Sequence, residues 1–169
     1  NQAVLTLALS PDGTRVAAAL KDHSVRIWDA ASGELKRMLT RHDGPVQAMT
    51  FSSGGSTFVT GGDDNKIIVW DAATGESKQI LRGHNDGVRA VAISRDANSV
   101  AAGFQDGTLR LWDVGNPMPK RTLRGHGAPV RSVMFSRNGA TLASLAGDAS
   151  LALWDAGDGQ LRRTLRGYG

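Results

Sequence analysis

Four Trp-Asp pairs, Trp28-Asp29, Trp70-Asp71, Trp112-Asp113 and Trp154-Asp155, stand 42 residues apart in a chain of 169 residues. A fixed period of this length marks one supersecondary unit copied along the chain, and the unit decides the whole fold. The interval never slips, so loop lengths are held constant from copy to copy. Catalytic groups do not recur four times in this way. Function has to be sought in what such units build.

Overlaying the copies makes the strands visible. Val4–Leu9 falls over Val46–Phe51, Val88–Ile93 and Val130–Phe135. In the second of these the large apolar residues are Val46, Met49 and Phe51, the first, fourth and sixth places. Strict alternation would use the first, third and fifth, so the pattern predicts one inserted residue, a β-bulge, in each first strand. Turn residues follow in Ser10-Pro11-Asp12-Gly13 and Ser136-Arg137-Asn138-Gly139. A second strand is predicted at 16–19, 58–61, 100–103 and 142–145, and a third runs into each Trp at 25–28, 67–70, 109–112 and 151–154. After another turn comes a fourth, more basic strand at 35–39, 77–81, 119–123 and 161–165. No stretch is long and periodic enough for a helix, so the fold class is all-β.

The details of the unit are specific. Gly83-His84 and Gly125-His126 precede first strands, and an Asp (Asp22, Asp64, Asp106, Asp148) lies six residues before each Trp. Over its whole length the chain resembles the WD-repeat family, whose units are the four-stranded blades of a β-propeller. The resemblance implies a single propeller segment, 1–169, with four blades of four antiparallel strands at about 1–42, 43–84, 85–126 and 127–169. It also implies that the His, hydroxyl, Asp and Trp of each copy form a structural hydrogen-bond network. These residues are His42, Thr60, Asp64 and Trp70 in copy two, and His126, Ser144, Asp148 and Trp154 in copy four. Copy three has His84, Asp106 and Trp112 but Ala102 at the hydroxyl position; copy one has Asp22 and Trp28 but Ala18, and its His slot would be position zero. Copies one and three are therefore expected to be the less rigid blades. An Asp-His-Ser set is also the composition of a hydrolase triad, but a catalytic site is not built several times over in one domain, and the structural role is preferred.

Composition narrows the function classes. There is no cysteine, so disulfides and thiolate metal sites are excluded. The three patterned histidines belong to different blades, which argues against a shared metal site, and His23 is expected to be solvated in its loop. Gly61-Gly62-Asp63-Asp64-Asn65 lacks the length and closing Glu of a calcium loop. No cofactor is expected. No apolar run reaches membrane-spanning length, and Asn1-Gln2-Ala3-Val4 carries no signal-peptide pattern. The start without Met suggests a processed product, an engineered segment or part of a longer array, and a cytoplasmic location is the expectation. Counting forward from position zero, a fifth copy would begin at Gly167-Tyr168. Net charge is +4, and Lys36, Lys78, Lys120 and Arg162 are equivalent positions on the fourth strands. Those strands are the exposed outer edges of blades, where Lys and Arg deter edge-to-edge aggregation. No aromatic residue is interleaved with them, as nucleic-acid binding would require.

WD-repeat propellers usually close with seven or eight blades. Four blades make an arc with an uncovered face at each end, and Ile67, Ile68 and Val69 show that such faces are apolar. The reading is half of an eight-bladed ring, closed by a head-to-tail homodimer or, alternatively, by further blades of a longer polypeptide. The function expected is a non-catalytic scaffold that binds a protein or peptide on the face of the loops before the first strand and between the second and third. On this chain those positions are Asp43, Gln47, Asp86, Arg89 and Arg131, with Lys21, Asp63 and Gln105. The alternative is a structural repeat module with no ligand of its own.

Overall fold

The computed structural model describes residues 3–82 and 84–166. Gly83, Gly167, Tyr168 and the Arg166 side chain lie outside the described residues. The first blade is β1 (Val4–Leu9), β2 (Arg15–Leu20), β3 (Val25–Asp29) and β4 (Leu35–Leu39), and the second is β5 (Val46–Phe51), β6 (Thr57–Gly62), β7 (Ile67–Asp71) and β8 (Ser77–Leu81). The third is β9 (Val88–Ile93), β10 (Ser99–Phe104), β11 (Leu109–Asp113) and β12 (Arg121–Leu123), and the fourth is β13 (Val130–Phe135), β14 (Thr141–Ala146), β15 (Ser150–Asp155) and β16 (Leu161–Arg166). Each blade is an antiparallel meander in chain order, and the described residues include no helix. The fold class is all-β, as the period implies. β12 is the one short outer strand: Pro119 has no N–H to give the ladder, so regular pairing begins at Arg121.

Each first strand carries the bulge. The register skips Leu5, Gln47, Arg89 and Arg131, one in each blade. An unpaired residue at this point is re-aimed out of the sheet, and three of the four are polar. The first strands β1, β5, β9 and β13 lie against one another in succession, which stacks the blades face to face.

Three apolar clusters fill the seams between successive blades. Val25, Ile27 and Leu39 of the first blade meet Phe58, Ile68 and Trp70 of the second. Ile67, Val69 and Leu81 meet Val88, Phe104 and Trp112, and Leu109, Leu111 and Leu123 meet Val130, Leu142 and Trp154. The Trp-bearing face of each blade therefore packs on the back of the one before it, at about 1.5–3 kcal/mol for each large apolar side chain withdrawn from water. Val needs close approach here. A Cβ on Gly61 would collide with Val88, and one on Gly103 with Val130, so glycine lets the inner strands meet at these two seams, and the small Ala19 holds the same place at the first.

No cluster among the described residues joins the fourth blade to the first. Leu7 and Leu9 on the Trp side of blade one are 66% and 60% exposed, whereas Phe51, the counterpart of Leu9, is 8% exposed. On the back of blade four Leu165 is 45% exposed against 2% for its counterpart Leu123.

Candidate functional site

The His-hydroxyl-Asp-Trp sets differ more between blades than their sequences indicate. In the second blade the network is complete. Trp70 Nε1 donates to Thr60 Oγ1 at 2.9 Å, Thr60 lies 2.8 Å from His42 Nε2, and His42 Nδ1 is 3.0 Å from Asp64. One ordering satisfies every group: indole to hydroxyl, hydroxyl to Nε2, and Nδ1–H to carboxylate. Burial pushes the Asp64 carboxyl up, but His42 and the N–H groups of Asp43 and Lys66 outweigh it and hold it below the ordinary 3.8. Thr60 is fully buried and its oxygen is occupied by the indole, so the set offers no nucleophile to a substrate. Its chemistry is that of a satisfied core network.

The fourth blade departs from expectation. Trp154 Nε1 donates to Ser144 Oγ at 2.8 Å, and Ser144 lies 2.6 Å from His126 Nε2. His126 Nδ1, however, meets Ser150 Oγ at 2.8 Å, and Ser150 in turn donates to Asp148 at 2.6 Å. Asp148 is exposed and reaches the imidazole only through the Ser150 hydroxyl. A lysine, Lys66, stands at the equivalent place in blade two, which is why Asp64 there bonds the imidazole directly. Burial lowers the His126 pKa below 6.5, against the opposing pull of Asp148.

In the third blade Ala102 removes the hydroxyl and the imidazole is used the other way round. The Asp86 N–H donates to His84 Nδ1 at 2.9 Å, while Nε2 lies 3.1 Å from Thr108 Oγ1 and 3.4 Å from Asp106. The ring stacks on Phe104 with centroids 3.6 Å apart, and Trp112 Nε1 donates to the Arg82 carbonyl instead. The expected loosening of this blade is met by substitute bonds. Burial lowers the His84 pKa, against Asp106. In the first blade Asp22 accepts from Ser24 and Arg26, and Trp28 is only half-buried on the open end face. The relay hydroxyls Ser24, Thr108 and Ser150 escaped the sequence reading. Their shared offset of two residues after the Asp was the available signal.

The expected partner face forms one row and leaves some members out. Gln47 Nε2 donates to Asp63 at 2.6 Å, Arg89 is ion-paired with Asp63, and Arg89 Nε donates to Gln105 Oε1 at 2.6 Å. Arg131 continues the row beside Gly147 and shares a cleft of about 360 Å³ with Arg89, Gln105 and Pro129. The structure thus brings together Gln47, Asp63, Arg89, Gln105 and Arg131, and the three that are first-strand residues are the bulged ones. Asp43 is instead paired with Lys66, Asp86 accepts the Gly87 N–H at 2.8 Å, and Lys21 is exposed on the first blade. His23, expected as a solvated loop residue, is half-buried at a left-handed turn position with φ of 69°.

The basic outer row is charge-compensated. Lys36 pairs with Glu34, Lys78 with Asp71 at 3.0 Å, Lys120 with Asp113 at 3.1 Å and Arg162 with Asp155. Three of these acids are the Asp of a Trp-Asp pair, which also caps its turn: Asp71 accepts the Ala73 and Thr74 N–H groups and is held well below the usual carboxylate range, chiefly by Thr74. Among the described residues no group of three His, Asp or Glu side chains is placed to hold a metal.

The sequence profile of the family described as WD domain, G-beta repeat matches residues 1–29, 33–71, 75–113 and 117–155. Among curated relatives, an uncharacterized WD repeat-containing protein of Synechocystis is 43% identical over 56 residues, which are 32% of this chain and 16% of that protein. The periodic tryptophan protein 2 homolog of Dictyostelium discoideum is 43% identical over 47 residues, 28% of this chain and 5% of that protein. The chain spans only a small part of the curated relatives it matches.

Proposed function

The chain belongs to the WD-repeat family, and from that premise we propose that it is a non-catalytic scaffold for protein–protein interaction which completes a ring by pairing with a second copy. The observation that carries the scaffold reading is the row from Gln47 to Arg131. Three of its side chains stand on bulges, the Asp63–Arg89 pair crosses the boundary between blades two and three, and the cleft shared by Gln105 and Arg131 spans the next one. A rigid polar row beside a cleft suits recognition of a protein or peptide surface better than chemistry. Affinity capture tests it: a partner retained by the wild type and by Arg162→Glu, yet lost from Arg89→Glu/Arg131→Glu, is the expected result. Equal retention by all three would remove this face from the account.

Self-association rests on the two end faces. They are the two halves of the seam that recurs three times inside the chain, so the back of blade four suits the Trp face of blade one in a second copy. Two such head-to-tail contacts close a ring of eight blades with two-fold symmetry. A clasp recurs as well. Arg37 Nε donates to the Ala73 carbonyl of the next blade at 2.9 Å, and Gln79 accepts the Gly115 N–H at 2.8 Å. Arg163 has the same place on the last outer strand, and Ala31 the matching turn on the first blade. One position departs from the internal pattern. Leu145 stands where Ala19, Gly61 and Gly103 admit the next Val, so Val4 must give way at the closing seam. Further blades of a longer polypeptide are the competing way to cover both faces.

A further inference from the structure

A groove of about 660 Å³ opens between blades three and four, on the side of the molecule away from the polar row, where the turns after first and third strands meet. Its counterpart between blades one and two is filled by one side chain. Arg15 donates from its two terminal nitrogens to the Ala72 carbonyl at 3.0 Å and the Gly55 carbonyl at 2.7 Å, with its guanidinium 5.5 Å from the Phe51 ring centroid. The position equivalent to Arg15 in blade three is Ser99: Arg15 pairs with Asp29 and Ser99 with Asp113 in the same register. Serine is too short to cross the seam. The receiving groups are nevertheless retained, since Phe135, Ala156 and Gly139 are the counterparts of Phe51, Ala72 and Gly55, and all three line the groove. Under Arg15 those groups are buried; in the groove each is half-buried. The middle seam has Thr57 and Ile93 in place of arginine and phenylalanine, so the aromatic floor without its arginine is particular to the third seam.

We propose that this groove is a docking site for an arginine side chain of a partner polypeptide. The guanidinium lies over Phe135, a cation–π contact, and donates to the Ala156 and Gly139 carbonyls, reproducing in trans the contact that Arg15 makes in cis. A second requirement comes from the mouth. Arg95 and Arg137 line it where the first seam has Pro11 and Ser53, and Lys120 is already paired with Asp113. Two added cations repel a lone guanidinium, so the docking arginine is flanked by carboxylates that answer Arg95 and Arg137. The ligand class is an arginine between acidic residues in an extended segment.

The probe is acetyl-Glu-Arg-Glu-amide, titrated into the protein with amide NMR shifts at Gly139, Ala156 and Gly157 as readout, beside the same peptide with citrulline in place of arginine. The expected result is saturable shifts with arginine, little with citrulline, and binding at least about tenfold weaker in Ser99→Arg, whose own side chain fills the slot. Phe135→Leu, which keeps the groove apolar, should weaken binding in the same way if Ser99→Arg does not fold. The Arg89→Glu/Arg131→Glu variant should bind the peptide normally, which separates this site from the polar row. Absence of binding at millimolar peptide, equal binding of the citrulline peptide, or undiminished binding by both groove variants would each overturn the proposal. The last two outcomes would reduce it to attraction of acidic residues by Arg95 and Arg137.

Discussion

A histidine in these blades matters for the group it leaves stranded. His42→Ala should cost ~2–3 kcal/mol in urea unfolding, because Asp64 and Thr60 lose their partner inside the blade. His126→Ala should cost less, about 1–2 kcal/mol, since Asp148 is exposed and keeps Ser150. Equal losses, measured with the assembly state unchanged, would contradict the two wirings. Protonation reads the same networks. His84 and His126 have folded pKa values lowered below 6.5 by burial, so the unfolded chain takes up their protons first. Their contribution is complete above pH 6.5 and declines as pH falls towards their folded values. Asp64 and Asp106, lowered from 3.8, add a second loss that begins only below that value. A His84→Asn/His126→Asn protein should lose the first decline and keep the second in a series of unfolding curves. These wirings were only half legible in the sequence. The period announced which residues would cluster, but whether Asp reaches His directly depends on the residue two places after the Asp. It is lysine in blade two, whose side chain turns out to Asp43, and a hydroxyl in blades three and four, which shares His84 Nε2 with Asp106 in the former and inserts itself between Asp148 and the imidazole in the latter.

At the scale of strands and turns the sequence was nearly sufficient. First-strand bounds and their bulges follow from the apolar places, because a slip of one residue would turn Val46 and Phe51 out of the seam. The second and third strands run a residue or so beyond the predicted bounds, into positions whose pairing no side-chain pattern marks. Turn chemistry shows where copies are strained. Ala97 and Ala149 adopt left-handed backbone with φ of 60° and 59°, at positions held by Gly13, Gly55 and Gly139 for the first and by Gly107 for the second. Ala97→Gly and Ala149→Gly should each raise stability by about 1 kcal/mol, since only glycine enters that region freely. Loss of stability in thermal unfolding of both variants would count against this. The outer strands carry a different duty. Changing Lys36, Lys78, Lys120 and Arg162 together to Thr should increase aggregation by light scattering, because the exposed edges lose their charges. Binding of DNA or RNA by the unchanged protein should be weak and vanish on going from low to physiological salt. Tight binding at physiological salt that the same four changes abolish would contradict it.

The described residues form a stack of blades with an exposed apolar face at each end, and the proposed pairing brings those two faces together. Inside the chain each Trp face is matched to the back of its neighbour; Leu7, Leu9 and Trp28 at one end and Leu145 and Leu165 at the other repeat the two halves without each other. The period in the sequence exposed the mismatch between four units and a closed ring. It did not show that Leu145 occupies a place where the internal seams need glycine or alanine, because the need comes from the approach of a Val on the next blade. The mass of the protein in solution at micromolar concentration, by light scattering, is the most direct test. The account predicts twice the mass of one chain for the wild type, a single-chain mass for Leu7→Asp, and tighter pairing for Leu145→Ala, which admits Val4. A folded wild-type protein with the mass of a single chain, unchanged by these substitutions, would contradict it.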